Sequence, residues 1–284
     1  MEIINPFEVK GNWYKGNLHT HTKNSDGEFT PEQTCEIYSK AGYNFLAITD
    51  HNKITKGIKA HNNLLLIDSC EIDVQSFHIV GIGMIEEFEK EGMSPQQVVE
   101  RMKQDGAIVI IGHPYWSGLT SFDILHIDGY EGIEVYNHLS QRMVGKGYST
   151  VHLDEVLQAG KKTYCFAVDD CHIESDIANG FIIVKAEEPT ENEIMTSIRK
   201  GYFYSSTGVL IKDIAIENKT IKVYCCEPVE TIDFIAYNAT GARLSSEKPI
   251  KYGEYAIKGI ERYIRIEITD RYGRKAWTNP VVYL

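Results

Sequence analysis

Residues 17–51 read NLHTHTKNSDGEFTPEQTCEIYSKAGYNFLAITDH. His19 and His21 are two apart, so in an extended chain their rings project from the same face. Asp26 follows within a turn-like stretch. Thr30-Pro31-Glu32 then has the grammar of a helix start, a capping hydroxyl before proline, and Gly42 supplies the stop. FLAIT (45–49) is an apolar, strand-like run that ends on Asp50 and His51. Strand end, capped helix and strand end succeed one another here, and polar side chains collect where each strand stops.

The same grammar continues outward. Strand-like runs recur at LLLID (64–68), FHIVGIG (77–83), AIVIIG (107–112), GIEVY (132–136), TYCFAV (163–168) and FIIVKA (181–186). Helical patterns open at Ser94-Pro95, closing at Gly106, and again at 190–201. Alternation of this kind predicts an α/β parallel sheet or barrel. After residue 208 the period changes to two, broken by turn signals at NK (218–219), NATG (238–241) and RYG (271–273). This predicts a small antiparallel β-sandwich of roughly 75 residues. The expected division is therefore an α/β unit over 1–207 and a β-rich unit over 208–284, packed together without a long linker.

The totals narrow the function. A chain of 284 residues with 43% hydrophobic content can bury a proper core. Its 40 acids against 29 bases give a net charge of −11, which does not suit an extended nucleic-acid surface. No apolar run is long enough for a membrane helix, and the N-terminus lacks the pattern of a signal peptide. A cytoplasmic location is the default expectation. The six cysteines, Cys35, Cys70, Cys165, Cys171, Cys225 and Cys226, form no CxxC pair and are expected to be reduced.

Five of the ten histidines end or closely follow a strand-like run: His19, His21, His51, His113 and His172. His78 lies near the start of its run. Asp170 and His172 in DDCH share one strand face. In parallel barrels the carboxyl ends of strands form the active-site rim, so these side chains are expected to converge. Imidazole and carboxylate together suit zinc, iron or manganese. His61, His126 and His152 read as surface or packing residues, and Asp50 and Asp169 as acceptors that orient neighbouring imidazoles.

HTHTKNSDG, AITDHN, Glu71 of CEID, GHP (112–114) and DDCH (169–172) resemble the motifs of the PHP family, the polymerase and histidinol phosphatase domains, over about residues 13–207. The WYKGNLHTHT opening and the KAWTNPVVYL close are similar to the CehA/McbA-type metallohydrolases. The resemblance implies a distorted (β/α)7 barrel with two to three divalent transition metals at the strand ends. It places His19, His21, Glu71 and Asp170 on a first metal. Glu71, His78 and His113 fall on a second, and Asp26, His51 and His172 on a third. Asp26 stands where many relatives have histidine.

The implied chemistry is hydrolysis by a metal-bridging hydroxide, with Asp170, His51 and His172 as catalytic residues and Asp170 receiving the water proton. The expected substrate is a small phosphoester or nucleotide. The same centre would also serve a carboxylic or carbamic ester. A non-catalytic, metal-stabilised binding protein is the remaining alternative. Arg142, Lys53 and His138 are the candidate substrate contacts, with Lys146 beside Arg142 in a loop expected to overhang the mouth. The β-rich unit is a candidate surface for a homodimer.

Overall fold

FLAI (45–48) and IVII (108–111) are buried at every position, as strands covered on both faces must be. The structure, a computed structural model, describes residues 2–59 and 61–284. Every apolar run of the first 207 residues forms a strand. In ladder order they are Phe181–Ala186, Asn12–Asn17, Phe45–Ile48, Leu65–Val74, Phe77–Ile82, Ile108–Ile111, Gly132–Asn137 and Tyr164–Val168. Asn12–Asn17, Phe45–Ile48 and Leu65–Val74 pair in parallel, as do Ile108–Ile111, Gly132–Asn137 and Tyr164–Val168. Phe77–Ile82 runs antiparallel to both of its neighbours. The result is a mixed α/β fold with one large sheet and, among the described residues, seven α-helices.

The helix starts follow their capping signals. Thr30 and Ser94 accept from the backbone N–H of Gln33 and Gln97, whose side chains return the contact, with proline at the first helical position. Phe45 and Phe166 fill the sheet interior against Gly16 and Gly132. A Cβ at these glycines would lie 2.0 and 2.3 Å from the facing ring. Two expectations change. LLLID is only the start of a ten-residue strand, which carries CEID into a hairpin. The stretch after Tyr136 is not an overhanging loop but a helix, His138–Val144, because Asn137 accepts from Ser140 N–H and Gly145 closes the end at φ 72°.

Beyond Arg199 all regular structure is extended, and the turn signals sit where the chain reverses: Asn218, Lys219 and Asn238 take positive φ. These strands are continuous with the main sheet. Lys275–Thr278 pairs with Phe203–Ser206, which pairs with Phe181–Ala186.

The last strand of the ladder, Tyr164–Val168, has no backbone ladder to Phe203–Ser206, yet the two lie side by side. Side chains bridge them. Ser205 Oγ accepts from Ala167 N–H at 2.9 Å and donates to the Cys165 carbonyl at 2.8 Å. Asn279 Oδ1 accepts from Cys165 N–H at 3.0 Å, while its Nδ2 donates to the carbonyls of Gly201 and Phe203. The C-terminal segment thereby closes the seam of the site-bearing sheet. Asn279→Ala is expected to leave these buried backbone groups unpaired and to lower stability by about 2–4 kcal/mol in urea unfolding. A loss below 0.5 kcal/mol would show that water takes over the role.

Candidate metal centre

All nine ligand candidates reach one place, and the strand directions explain why. His19, His21, His51, His113, Asp170 and His172 follow the carboxyl ends of parallel strands. Glu71 lies late in the long strand Leu65–Val74, while His78 starts the antiparallel strand that returns from it. A hairpin thus delivers both residues to the same rim. His113 and Asp170 sit in positive φ, at 23° and 52°, where the chain turns sharply off its strand. Such backbone is uncommon outside glycine and clusters at functional sites.

Glu71, buried at 1% exposure, is the hub. Its Oε2 lies 3.2 Å from His19 Nε2, 3.3 Å from His21 Nε2 and 3.2 Å from His51 Nδ1. Its Oε1 lies 2.9 Å from His78 Nδ1 and 3.2 Å from His113 Nε2. Asp170 Oδ1 is 3.4 Å from His19 Nε2 and 3.2 Å from His21 Nε2. Asp26 Oδ2 is 3.2 Å from His172 Nε2 and 3.6 Å from His51 Nε2. The donors fall into four overlapping sets: His19, His21, Asp170; His19, Glu71, His113; His51, Glu71, Asp73, His78; and His21, Asp26, His51, His172. The expected grouping of Asp26 with His51 and His172 appears, joined by His21. Glu71 is shared, as expected, but His78 and His113 fall into separate sets.

The donor chemistry fits bound cations. His19 Nε2 and His21 Nε2 face each other at 3.1 Å, which brings two lone pairs together unless a proton or a metal lies between them. Asp170 Oδ1 is buried and has no hydrogen-bond donor, an arrangement that calls for a cation. Burial alone would push the imidazoles toward neutrality. The carboxylates outweigh it: Asp170, Glu71 and Glu134 hold His19 well above the usual range, and Asp26 and Asp73 hold His51 up at about 10. Asp26 is held well below the carboxylate range, first by its hydrogen bond from His172. The carboxylates thus favour positive charge, proton or metal, among the rings.

Two participants escape the sequence reading. Asp73 approaches His51 Nδ1 at 3.1 Å and His78 Nδ1 at 3.2 Å. Its i, i+2 spacing from Glu71 on one strand face was the available signal. Glu134 Oε1 lies 2.6 Å from His19 Nδ1, and its Oε2 accepts from His113 N–H at 2.9 Å and Asn137 Nδ2 at 2.9 Å. It fixes the His19 ring with Nε2 toward the cluster. Asp169 contacts no imidazole, and Asp50 reaches one only through Ser25, whose Oγ lies 3.4 Å from His21 Nδ1. Asp50 braces the loop after His21, accepting from Thr22 N–H, Thr22 Oγ1 and Ser25 Oγ. Asp169 accepts from Tyr38 and the backbone N–H groups of Ala178, Asn179 and Gly180. Burial pushes its carboxyl up to about 6 against those bonds. Cys171 packs into the core, and burial raises its thiol pKa, so it offers no nucleophile.

A cavity of about 340 Å³ opens over the cluster, lined by the ligand candidates except His19 and by Trp116, Leu139, Ser140, Arg142 and Met143. Of the candidate substrate contacts only Arg142 lines it. Its Nε donates to buried Asp176 at 2.6 Å, and Asp176 also accepts from the backbone N–H groups of His172 and Ile173. His138 instead pairs its Nδ1 with the Tyr136 hydroxyl at 3.0 Å. Lys53 is exposed away from the cavity, and Lys146 lies over the Tyr115 ring. Glu134→Gln is expected to weaken metal affinity about 10–100-fold with an unchanged fold, measured by competition with a chelating dye. Unchanged affinity would show that the His19–Glu134 contact is only structural.

No protein-family model matches the chain. It is 31% identical over 144 residues to the uncharacterized protein MJ1587 of Methanocaldococcus jannaschii, covering 43% of this chain and 81% of that one. It is 35% identical over 72 residues to the DNA polymerase/3'-5' exonuclease PolX of Bacillus subtilis, and the match spans only 13% of that protein. A solved two-domain protein from Bacteroides vulgatus, containing a predicted PHP-like metal-dependent phosphoesterase, superposes with a TM-score of 0.56 at 16% identity over 95% of both chains. The chain thus shares its fold with that PHP-like protein, and by its match to most of the archaeal sequence it belongs to the family of MJ1587.

Proposed function

We propose that the chain is a metal-dependent hydrolase, a phosphoesterase acting on a small phosphorylated molecule or nucleotide. The observation that carries this reading is the convergence of six imidazoles and the carboxylates of Asp26, Glu71 and Asp170 beneath one cavity. A stable fold has no need of so many titratable groups in mutual contact. We assign the hydrolase to residues 1–207, a distorted (β/α)7 barrel, and an accessory antiparallel sandwich to 208–284. The sequence features at 13–22 and 275–284 favour the CehA/McbA-type subset. The six unpaired cysteines fit a reducing, cytoplasmic setting.

Two to three divalent metals, zinc, iron or manganese, would be held by His19, His21 and Asp170 with the shared Glu71, by Glu71 with His78 and His113, and by Asp26, His51 and His172. When bound they supply Lewis acidity and lower the pKa of water. The side chains supply the rest. Arg142, steadied by Asp176, binds phosphate oxygens beside His172. Asp170 Oδ1 takes a proton from the attacking water, and Asn137 holds its other oxygen at 3.0 Å. Hydrolysis forms a P–O bond to the water oxygen and breaks the bond to the leaving oxygen, which receives the proton. A carboxylic or carbamic ester is the second reading. The pairing of Arg142 with Asp176 favours it, because this leaves little net positive charge for a phosphate.

Purified protein is expected to hold two to three transition metals per chain by elemental analysis; one or none defeats the reading. Asp170→Asn and His51→Ala are expected to lower phosphoester hydrolysis by about 10²-fold or more with unchanged circular dichroism. A wild type that cleaves only naphthyl carbamates or carboxylic esters would establish the second reading. Metal binding is also expected to release protons near pH 7. The raised imidazoles, His51 at about 10 among them, are protonated in the metal-free chain and must lose those protons to bind. Affinity should therefore rise with pH, by about one log unit per pH unit for each proton released. Calorimetry in buffers of different ionisation enthalpy measures that number, and zero release would contradict the shared-proton picture.

A further inference from the structure

Trp116 is 39% exposed, although a tryptophan ring gains much from burial. It sits on the short helix Pro114–Ser117, directly after His113. Its ring stands nearly perpendicular to His78 and His113, with centroids 5.6 and 5.0 Å away. The two imidazoles thus steady one part of the indole, and the remainder lines the cavity. Also lining it are Leu139, Arg142 and Met143, spaced i, i+3, i+4 and therefore on one face of the helix His138–Val144. Met143 is 58% exposed. The cavity therefore combines two kinds of surface. Its floor is the donor cluster, with one guanidinium beside His172. The rest of its lining includes three apolar side chains, Trp116, Leu139 and Met143. Of the three only the Trp116 indole N–H is a hydrogen-bond donor, far fewer polar groups than a sugar or polyol would require.

We propose that Trp116, Leu139 and Met143 form a subsite for a planar apolar leaving group. The substrates would then be phosphoesters whose alcohol portion carries an aromatic ring close to the phosphorus. The inference rests on the phosphoesterase reading and names the substrate class of that same site. The phosphoryl group lies over the floor near Arg142, and the ring lies against the indole and the Met143 thioether. Both contacts suit an aromatic face. At about 340 Å³ the cavity is at the small end of ligand sites, which suits a compact aryl ester better than a polymer end.

The test uses the metal-loaded full chain and two non-hydrolysable probes, phenylphosphonate and methylphosphonate, with binding read by calorimetry. Wild type is expected to bind the phenyl compound about tenfold more tightly, the gain from burying one ring face. Trp116→Ala is expected to erase most of that ratio, Trp116→Phe to keep part of it, and Met143→Gln to reduce it. Elemental analysis accompanies each variant. If Trp116→Ala loses metal through disturbance of His78 and His113, Trp116→Phe and Met143→Gln decide. A parallel assay compares hydrolysis of phenyl phosphate and glycerol phosphate in wild type and variants, and the same change in ratio is expected. Equal discrimination in wild type and all metal-loaded variants overturns the aromatic subsite while hydrolysis of any phosphoester keeps the phosphoesterase reading. A wild type that binds the phenyl probe selectively but hydrolyses no phosphoester separates the failures in the other direction.

Discussion

A buried carboxylate surrounded by imidazoles is the constraint on which the rest of the molecule depends. Glu71 is withdrawn from water and touches five histidines. Desolvating a charge is expensive, and opposite charge must offset it at short range. Neutral rings supply only weak dipoles. Cations held among the rings, whether protons or metal ions, would complete that compensation, and the donor sets are of a kind that could hold a metal.

Holding such a cluster together requires a rigid surround, and the fold provides it from several directions. Parallel strands bring their carboxyl ends to one rim, and the hairpin of Leu65–Val74 with Phe77–Ile82 brings Glu71 and His78 to the same rim from opposite chain directions. Beneath the rim, carboxylates that pair with no imidazole of the cluster fasten loops instead. Asp50 holds the turn after His21, Asp169 gathers the backbone of 178–180, and Asp176 ties Arg142 to the segment of His172. Each buried acid is satisfied by several donors, the condition under which a buried polar network rigidifies a site. The C-terminal strands contribute at a distance, because Asn279 seals the seam behind Asp170.

The element pattern was largely legible in sequence. Apolar runs, cap-proline helix starts and the change to period two after residue 208 each have a local physical cause, and each produced the element it signals. The helix at 138–144 was less visible: it is seven residues long and begins at a strand end, so its periodicity is too short to stand out. Its consequence is functional, since it sets Leu139, Arg142 and Met143 on one face. Among the polar residues, motif position found nine of the ten clustered donors, missing Asp73, and misjudged the roles of their neighbours. Asp50 and Asp169 adjoin ligand candidates in sequence but turn away from them, because adjacent residues of an extended chain face opposite sides.

The amino-acid order by itself determined which side chains stop at strand ends and that imidazoles and carboxylates collect there. These features depend on neighbours within a few residues. Tertiary structure decided what depends on distant pairs. Glu134 reaches His19 across 115 positions, Asn279 reaches Cys165 across 114, and Trp116 meets the far helix only over the cavity. No local periodicity encodes such meetings, because they follow from strand order and from the packing of helices on the sheet. For that reason the cluster of imidazole and carboxylate donors was visible in the sequence, while the surround that tunes it emerged only from the fold.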